Sequence, residues 1–486
     1  MTRWRMVEGV SKRTTMGACV ALLLVSTAAA LDETPAPAAE DAAAAVIAPA
    51  TPQPEAVRQT YLRLMAEKRY TEAAQIAAQL VELDRQSHGE RSPQYAASLS
   101  ALARAQLALG NVAAAADNFR AAIALLERAE GPASPALIEP LVGLGDAYMS
   151  NGFYPPANDA YERALLLNHA AAGFYNLEQV QILDGLSESD LALGELADAN
   201  ARQRAQVAIQ ARRTGDTQQD LVQALYKLAR WYNRTGQFEA SRQTWQQARA
   251  VIRKSGNPAD PAQVETMIGE ALSYASEGDA PTSVSTLKRA LEQLDALPEP
   301  DHARRAEVLV TLGDLYVTVG RPRSAHQAYE QAWAELSAEE TLSARRDEYF
   351  GRPSRITGPR LPRIVDADGR EQSVVRSDSA GYAPGYVVAR MVVDADGSAR
   401  DMAIVESEPA GLLDQQVLKA LARTAFRPRL ADGTATASED VQFRHEFRYP
   451  RTASVAPTET GPDPAPAGDK GAPIGYPTEG DDHRGD

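Results

Sequence analysis

Six glycines, Gly110, Gly152, Gly194, Gly236, Gly278 and Gly320, stand at one unbroken spacing of 42, and one further step back lands on Lys68. At average glycine usage such a series arises by chance roughly once in ten million. The chain from about Glu55 to Leu342 is therefore built from repeats, and a repeat narrows the fold more than any other sequence feature. The surroundings of each glycine recur too. A large apolar residue lies eleven positions before it (Val57, Leu99, Leu141, Leu183, Leu225, Met267, Leu309), and a small one lies five after it (Ala73, Ala115, Ala157, Ala199, Ser241, Ser283, Ala325). Apolar residues flank the glycine at helical spacing, as in Leu141, Leu144 and Tyr148, then Tyr161, Ala164 and Leu165. Each unit reads as helix, glycine turn, helix, with the small residue where two backbones approach. One such pair cannot bury its apolar face alone. Seven stacked pairs share a core and coil into a superhelix with an extended inner surface.

The phrases Leu144-Gly145-Asp146-Ala147-Tyr148 and Leu312-Gly313-Asp314-Leu315-Tyr316, followed by Ala157, Tyr161, Ala164 and by Ala325, Tyr329, Ala332, resemble the tetratricopeptide (TPR) signature. The common TPR unit is about 34 residues, so this chain resembles a longer-helix variant. The pattern weakens at Lys68 in the first unit and at Asp190, Gln203 and Gln206 in the fourth. The resemblance implies that the first helix of each unit lines the inside of the superhelix, with two rows of inward residues. One row is Arg58, Ser100, Val142, Asp184, Tyr226, Ile268 and Val310; the other is Leu62, Arg104, Asp146, Glu188, Arg230, Leu272 and Asp314. Asp146, Asp184 and Glu188 would form a mid-array acidic patch, flanked by Arg104 and by Tyr226 with Arg230. Spaced charges and an aromatic suit an extended peptide. The same residues also suit a merely solvated helix face. The Asn and Lys pattern by which TPR proteins clamp a terminal carboxylate is absent from these positions, so capture of a carboxyl terminus is not expected. Tyr148, Tyr232, Tyr274 and Tyr316 fall at the slot between helices and are expected in the core.

The chain opens with Arg3, Arg5, Lys12 and Arg13, then an uncharged run from Met16 to Ala30 that closes on three alanines. A basic start, a short apolar stretch and small residues outline a cleavable secretory signal over residues 1–30. Fifteen residues are short for a bilayer span, although an uncleaved anchor is the alternative. Cys19, the one cysteine, lies inside this segment, so the mature chain would form no disulfide. The formal net charge of −15 becomes more negative once the basic start is removed, and so acidic a protein repels nucleic acid and anionic lipid. Residues 31–54 are an Ala/Pro-rich stretch expected to be a disordered linker, and 451–486 a disordered tail.

Beyond the array, assigned to 55–345, residues 346–380 read as a basic extended connector. Period two then appears in Val387, Ala389, Met391 and Val393, with a turn at Asp394-Ala395-Asp396-Gly397 and a returning strand from Arg400 to Val405. Leu413, Val417 and Leu421 mark a helix face, and Val441, Phe443, His445 and Phe447 alternate with polar residues in a last strand. This order, with Gly385-Tyr386, Val405-Glu406-Ser407, Leu413-Asp414 and Ala425-Phe426-Arg427-Pro428, resembles the C-terminal domain of the Gram-negative TonB family over 381–450, with Phe426 where that family more often has Trp. The fold expected is thus an α-solenoid of seven 42-residue units followed by a small α+β domain. The TonB resemblance implies strand addition from a partner at a sheet edge, and Gln442, Arg444, Glu446 and Arg448 are the residues expected to form it.

The six histidines lack metal-ligand spacing, and neither a Gly-x-Ser-x-Gly elbow nor a phosphate loop occurs. No catalysis, cofactor or metal is expected. The reading is a periplasmic scaffold or adaptor binding protein or peptide partners of the cell envelope, outer-membrane receptors among them. The alternative is a TonB-type energy-transducing or transport accessory protein anchored in the inner membrane. The apolar run from Met16 to Ala30 holds no His, and an intramembrane ionisable group of that kind is what such coupling would need.

Overall fold

The computed structural model of the chain describes residues 54–212, 218–254, 260–372 and 382–450. The expected signal segment, linker and tail lie outside the described residues, apart from Pro54.

Seven helix pairs follow one another in the register set by the glycines. They are α1 (Pro54–Ala66) with α2 (Tyr70–His88), α3 (Pro93–Ala108) with α4 (Val112–Glu130), and α5 (Ile138–Ser150) with α6 (Tyr154–Ala172). Then come α7 (Gln179–Leu193) with α8 (Leu196–Arg212), α9 (Gln218–Arg234) with α10 (Phe238–Lys254), α11 (Ala262–Glu277) with α12 (Ala280–Asp295), and α13 (His302–Thr318) with α14 (Pro322–Ser337). The six turn glycines have φ between 69° and 99°, a left-handed conformation open to glycine at no steric cost. Lys68, the register position without glycine, adopts the same region at φ 59°. The turn geometry persists even where its preferred residue is missing.

The packing follows from the pattern. The large apolar residue before each turn is at most 8 % exposed, from Leu141, Leu183 and Leu309 at 3 % to Leu99 at 8 %. The small residue after it is buried in every unit, and Ser241 and Ser283 donate their hydroxyls to the carbonyls of Ala229 and Ala271 at 2.8 and 2.7 Å. A hydroxyl can replace a methyl there because the partner helix offers it an acceptor. In the fourth unit, buried Gln206 donates to Asp184 at 2.8 Å, and buried Asp190 accepts from Asn158. These bonds draw the polar departures of that unit into the core, although among the described residues the second carboxylate oxygen of Asp190 has only Arg202, at 3.7 Å, near it.

After α14, a short helix α15 (Ser343–Phe350) caps the array, with Phe350 fully buried against Tyr329 and Trp333. The segment expected to be an extended connector therefore begins as helix. It continues as strand β1 (Ser354–Thr357), and Leu361 and Val365 enter the core of the following domain. That domain holds β2 (Tyr382–Val393), β3 (Ala399–Glu408), α16 (Asp414–Leu421), β4 (Ala425–Arg427), β5 (Arg429–Ala431), β6 (Thr434–Thr436) and β7 (Ser438–Pro450). Its main sheet is antiparallel, in the order β3-β2-β7, while β4 pairs with β1 and β5 with β6. Val387, Ala389, Met391 and Val393 face α16 and are at most 1 % exposed. Gly397 is required by contact as well as by its φ of 85°, because a Cβ there would lie 2.1 Å from the carbonyl oxygen of Phe426.

Candidate interaction surface

Most of the first inward row does not line a surface; Arg58 and Asp184 are its partly exposed members. Ser100, Val142, Tyr226, Ile268 and Val310 are 2 to 6 % exposed, wedged between neighbouring helices. Tyr226, expected as a groove aromatic, packs its ring on Trp245 at 5.0 Å and donates its hydroxyl to the Ala262 carbonyl. Its position is corrected from groove to core. The second row is the accessible one, with Leu62 and Leu272 at 51 % and 46 % exposed. Helical spacing could not separate the two rows, because four residues on a helix move a side chain by little more than one turn.

Most charges of the accessible row are already paired. Arg104 donates to Glu139 at 2.8 Å and Arg230 to Glu265 at 2.9 Å, while Arg234 grips Glu188 through both terminal nitrogens. Asp184, of the first row, is held by Lys227 and Gln206. The mid-array acidic patch is thus largely neutralised by cations from within the array, Lys227 and Arg234, which the row pattern did not single out. Asp146 differs. Among the described residues its side chain accepts one hydrogen bond, from the Tyr161 hydroxyl at 2.6 Å, and no cation stands within ion-pair distance. Burial pushes its carboxyl above the usual carboxylate range, with the phenol and the more distant Arg104 pulling the other way.

The same arrangement recurs in the seventh unit, where it is filled. Tyr329 donates to Asp314 at 2.8 Å, and Arg427, from β4, adds a two-pronged bond with Nε at 2.9 Å and a terminal nitrogen at 2.6 Å. Burial works against the Arg427 charge, and the carboxylate more than restores it. Three residues on, Leu430 of β5 enters the core of the last two units, and Gly433 lies against the Trp333 ring. The C-terminal domain is thereby docked on α13 to α15. Neither Arg427 nor Leu430 was singled out from sequence as a contact.

Between the row and this domain lies an open cleft of about 1180 Å³, bordered by Glu188 and Arg234 on one side and by Arg355, Arg363, Phe443 and His445 on the other. Strand β7 is the edge of its sheet. At Arg448 its outer side is taken by the connector: Arg448 N donates to the Arg363 carbonyl at 2.8 Å, and Val365 N to that of Arg448 at 2.9 Å. Alternation along the strand turns the backbone groups of Glu446, Arg444 and Gln442 the same way. No hydrogen bond from the connector to them occurs among the described residues. Of the four expected edge residues, Arg448 is occupied from within the chain. Arg444 stacks on Tyr386 at 4.1 Å and bonds Glu446 at 3.0 Å. His445 donates from Nε2 to the Pro362 carbonyl, 2.8 Å away, and burial holds its ring below the usual histidine range.

Comparison with known proteins agrees with this architecture. A tetratricopeptide repeat profile matches residues 64–128 and 265–334, and the profile of the Gram-negative bacterial TonB protein C-terminal matches 381–449. The chain carries tetratricopeptide repeats and a TonB-family C-terminal domain. Both families support a role in protein interaction. Similar solved structures include the TPR-like repeats of a putative kinesin light chain from Podosopora anserina, 22% identical over 42% of this chain and 99% of that one, with a TM-score of 0.38. A tetratricopeptide repeat protein from Parabacteroides merdae is 14% identical over 61% of this chain and 98% of that one, with a TM-score of 0.35. No curated protein matches the sequence. Among the described residues, no helix is long and apolar enough to cross a membrane, and no group of metal-binding side chains converges.

Proposed function

We propose that this TPR and TonB-family protein is a non-catalytic scaffold of the Gram-negative envelope, exported to the periplasm, which holds partner polypeptides along the accessible row and at the free part of the β7 edge. The observation that carries this reading is the cleft of about 1180 Å³, which brings Glu188 of the helical row opposite Phe443 and His445 of the edge strand β7. An extended segment lying there gains main-chain bonds from Gln442, Arg444 and Glu446 and side-chain recognition from Glu188 and Arg230. A recess of about 210 Å³ beside Arg230, Trp245 and exposed Leu272 offers an apolar anchor to the same segment. Outer-membrane receptors are candidate partners, and no cofactor or metal takes part.

The test uses the full chain in its native host, with a photo-crosslinking residue at Gln442 or Leu272. Crosslinks to envelope proteins from both positions are expected. Crosslinks confined to this chain would overturn the reading. Amino-terminal sequencing of the mature protein is expected to give a start near Leu31; an intact amino terminus would favour the anchored transport reading instead.

A further inference from the structure

The third and seventh units alone combine the phrase Leu-Gly-Asp-x-Tyr with a tyrosine on the second helix nine residues past the turn. Elsewhere in the array the two positions hold Leu62 with Ala77, Arg104 with Phe119, Glu188 with Gln203, Arg230 with Trp245 and Leu272 with Leu287. In both units the ring rests on the glycine beside the aspartate, where a Cβ would meet it at 2.6 Å (Gly145) or 2.3 Å (Gly313), and its hydroxyl fixes one carboxylate oxygen. The carboxylate is thereby held in one orientation with its second oxygen open.

In the seventh unit the open side receives a guanidinium from within the chain. Arg427 comes in on an extended segment, donates to both oxygens of Asp314, and is left 12 % exposed. A planar fork matches a fixed carboxylate better than an ammonium does, because two parallel bonds form at once. The third unit presents the same carboxylate, phenol and glycine with no cation on it. Arg104, the basic neighbour in the row, is engaged by Glu139. A desolvated carboxylate without a cation is unfavourable in itself, and a guanidinium there would relieve that cost.

We infer that Asp146 and Tyr161 form a receptor for an arginine side chain presented on an extended segment of a partner protein, in the geometry that Arg427 adopts on Asp314 and Tyr329. The inference rests on the scaffold reading above and specifies the chemistry of one position in it. Arginine is the residue required, on a segment extended enough for its neighbours to run along the row past Glu188.

The test titrates the full chain with the blocked peptide Ala-Phe-Arg-Pro-Arg-Leu, the chain's own 425–430 segment, and with versions in which citrulline or lysine replaces the first arginine. Asp146→Asn keeps the shape and the phenol's acceptor, so the fold is retained; Tyr161→Phe is a second, independent variant. Asp146→Asn is expected to weaken the arginine peptide about tenfold, Tyr161→Phe several-fold, and citrulline as much as Asp146→Asn, with no further loss when the two are combined. Lysine should recover part of the affinity. Unchanged binding by Asp146→Asn overturns the inference; if Glu188→Gln and Arg230→Gln still weaken the peptide, the scaffold reading survives it. Absence of any binding removes both. A dimer in sedimentation that Asp146→Asn dissolves would make a second copy the occupant and overturn the assignment to a partner.

Discussion

The third and seventh units carry nearly the same five residues, and the molecule treats them differently. At Asp314 a buried arginine, a phenol and an apolar anchor four residues from β4's Phe426 fasten a second domain to the array. At Asp146 the phenol alone attends the carboxylate. A repeat motif thus supplies a receptor in two places, and the surrounding chain decides which is filled. Stability is built at one copy, and at the other the same chemistry stays available for recognition.

The largest effect should come from removing the internal ligand. Arg427→Ala leaves the Asp314 carboxylate desolvated without its cation, a loss of the order of 3 kcal/mol for a buried pair. Hydrogen exchange should rise in 343–350 and 425–436; unchanged protection would deny that this pair fastens the domain. Gly145→Ala should cost about 2 kcal/mol through overpacking, and more than Gly313→Ala. The reason is that Tyr161 also presses on Gly185, where a Cβ would lie 2.5 Å from the ring, and so has nowhere to retreat. Equal melting temperatures would break that part of the comparison.

Removing one hydroxyl is milder and sharper. Tyr161→Phe should cost about 1.5 kcal/mol and Tyr329→Phe about half of that, since a bond to a charged group is lost in both but only Asp314 keeps another donor. A denaturation series ranks the pair, and the reverse order would mean that Asp146 has found another partner. The smallest effect concerns the connector on β7. Because the folded-state pKa of His445 is lowered from 6.5 by burial, its neutral form stabilises the fold above that value, and the contribution is lost as pH falls through the lower folded value. Exchange at 361–365 should rise on acidification with no change at 425–436; a flat profile would remove His445 from the connector's hold.

The repeat register was legible to the residue, down to the left-handed turn at Lys68, because one backbone requirement recurs every 42 positions. A second series, Gly89, Gly131 and Gly173, has the same spacing and φ from 78° to 93°; it ends the second helices and was open to the same reading. Strands β2, β3 and β7 and helix α16 followed from periodicity. Strands β1, β4, β5 and β6 did not, being three or four residues long; β1 and β4 also pair across distance, while β5 and β6 form a hairpin about Asp432-Gly433. The rows failed at Tyr226, since the period of a helix says which residues share a face and not how deeply a neighbouring helix covers it. Arg427 and Asp314 both lay in phrases with family signatures. Nothing local links residues 113 apart, so their bond was invisible until the fold brought them together.

Phe426 belongs to the interior of the sheet domain and Leu430 to the interior of the last helices, so one short stretch is rooted in two places. Cutting the protein into halves for study would therefore tear it along a seam. An array ending before residue 425 would carry an oily notch where Leu430 sits and a stranded negative charge at Asp314, and the notch would make it prone to self-association for reasons unrelated to its biology. Binding measured on such a fragment would report the wound as well as the groove.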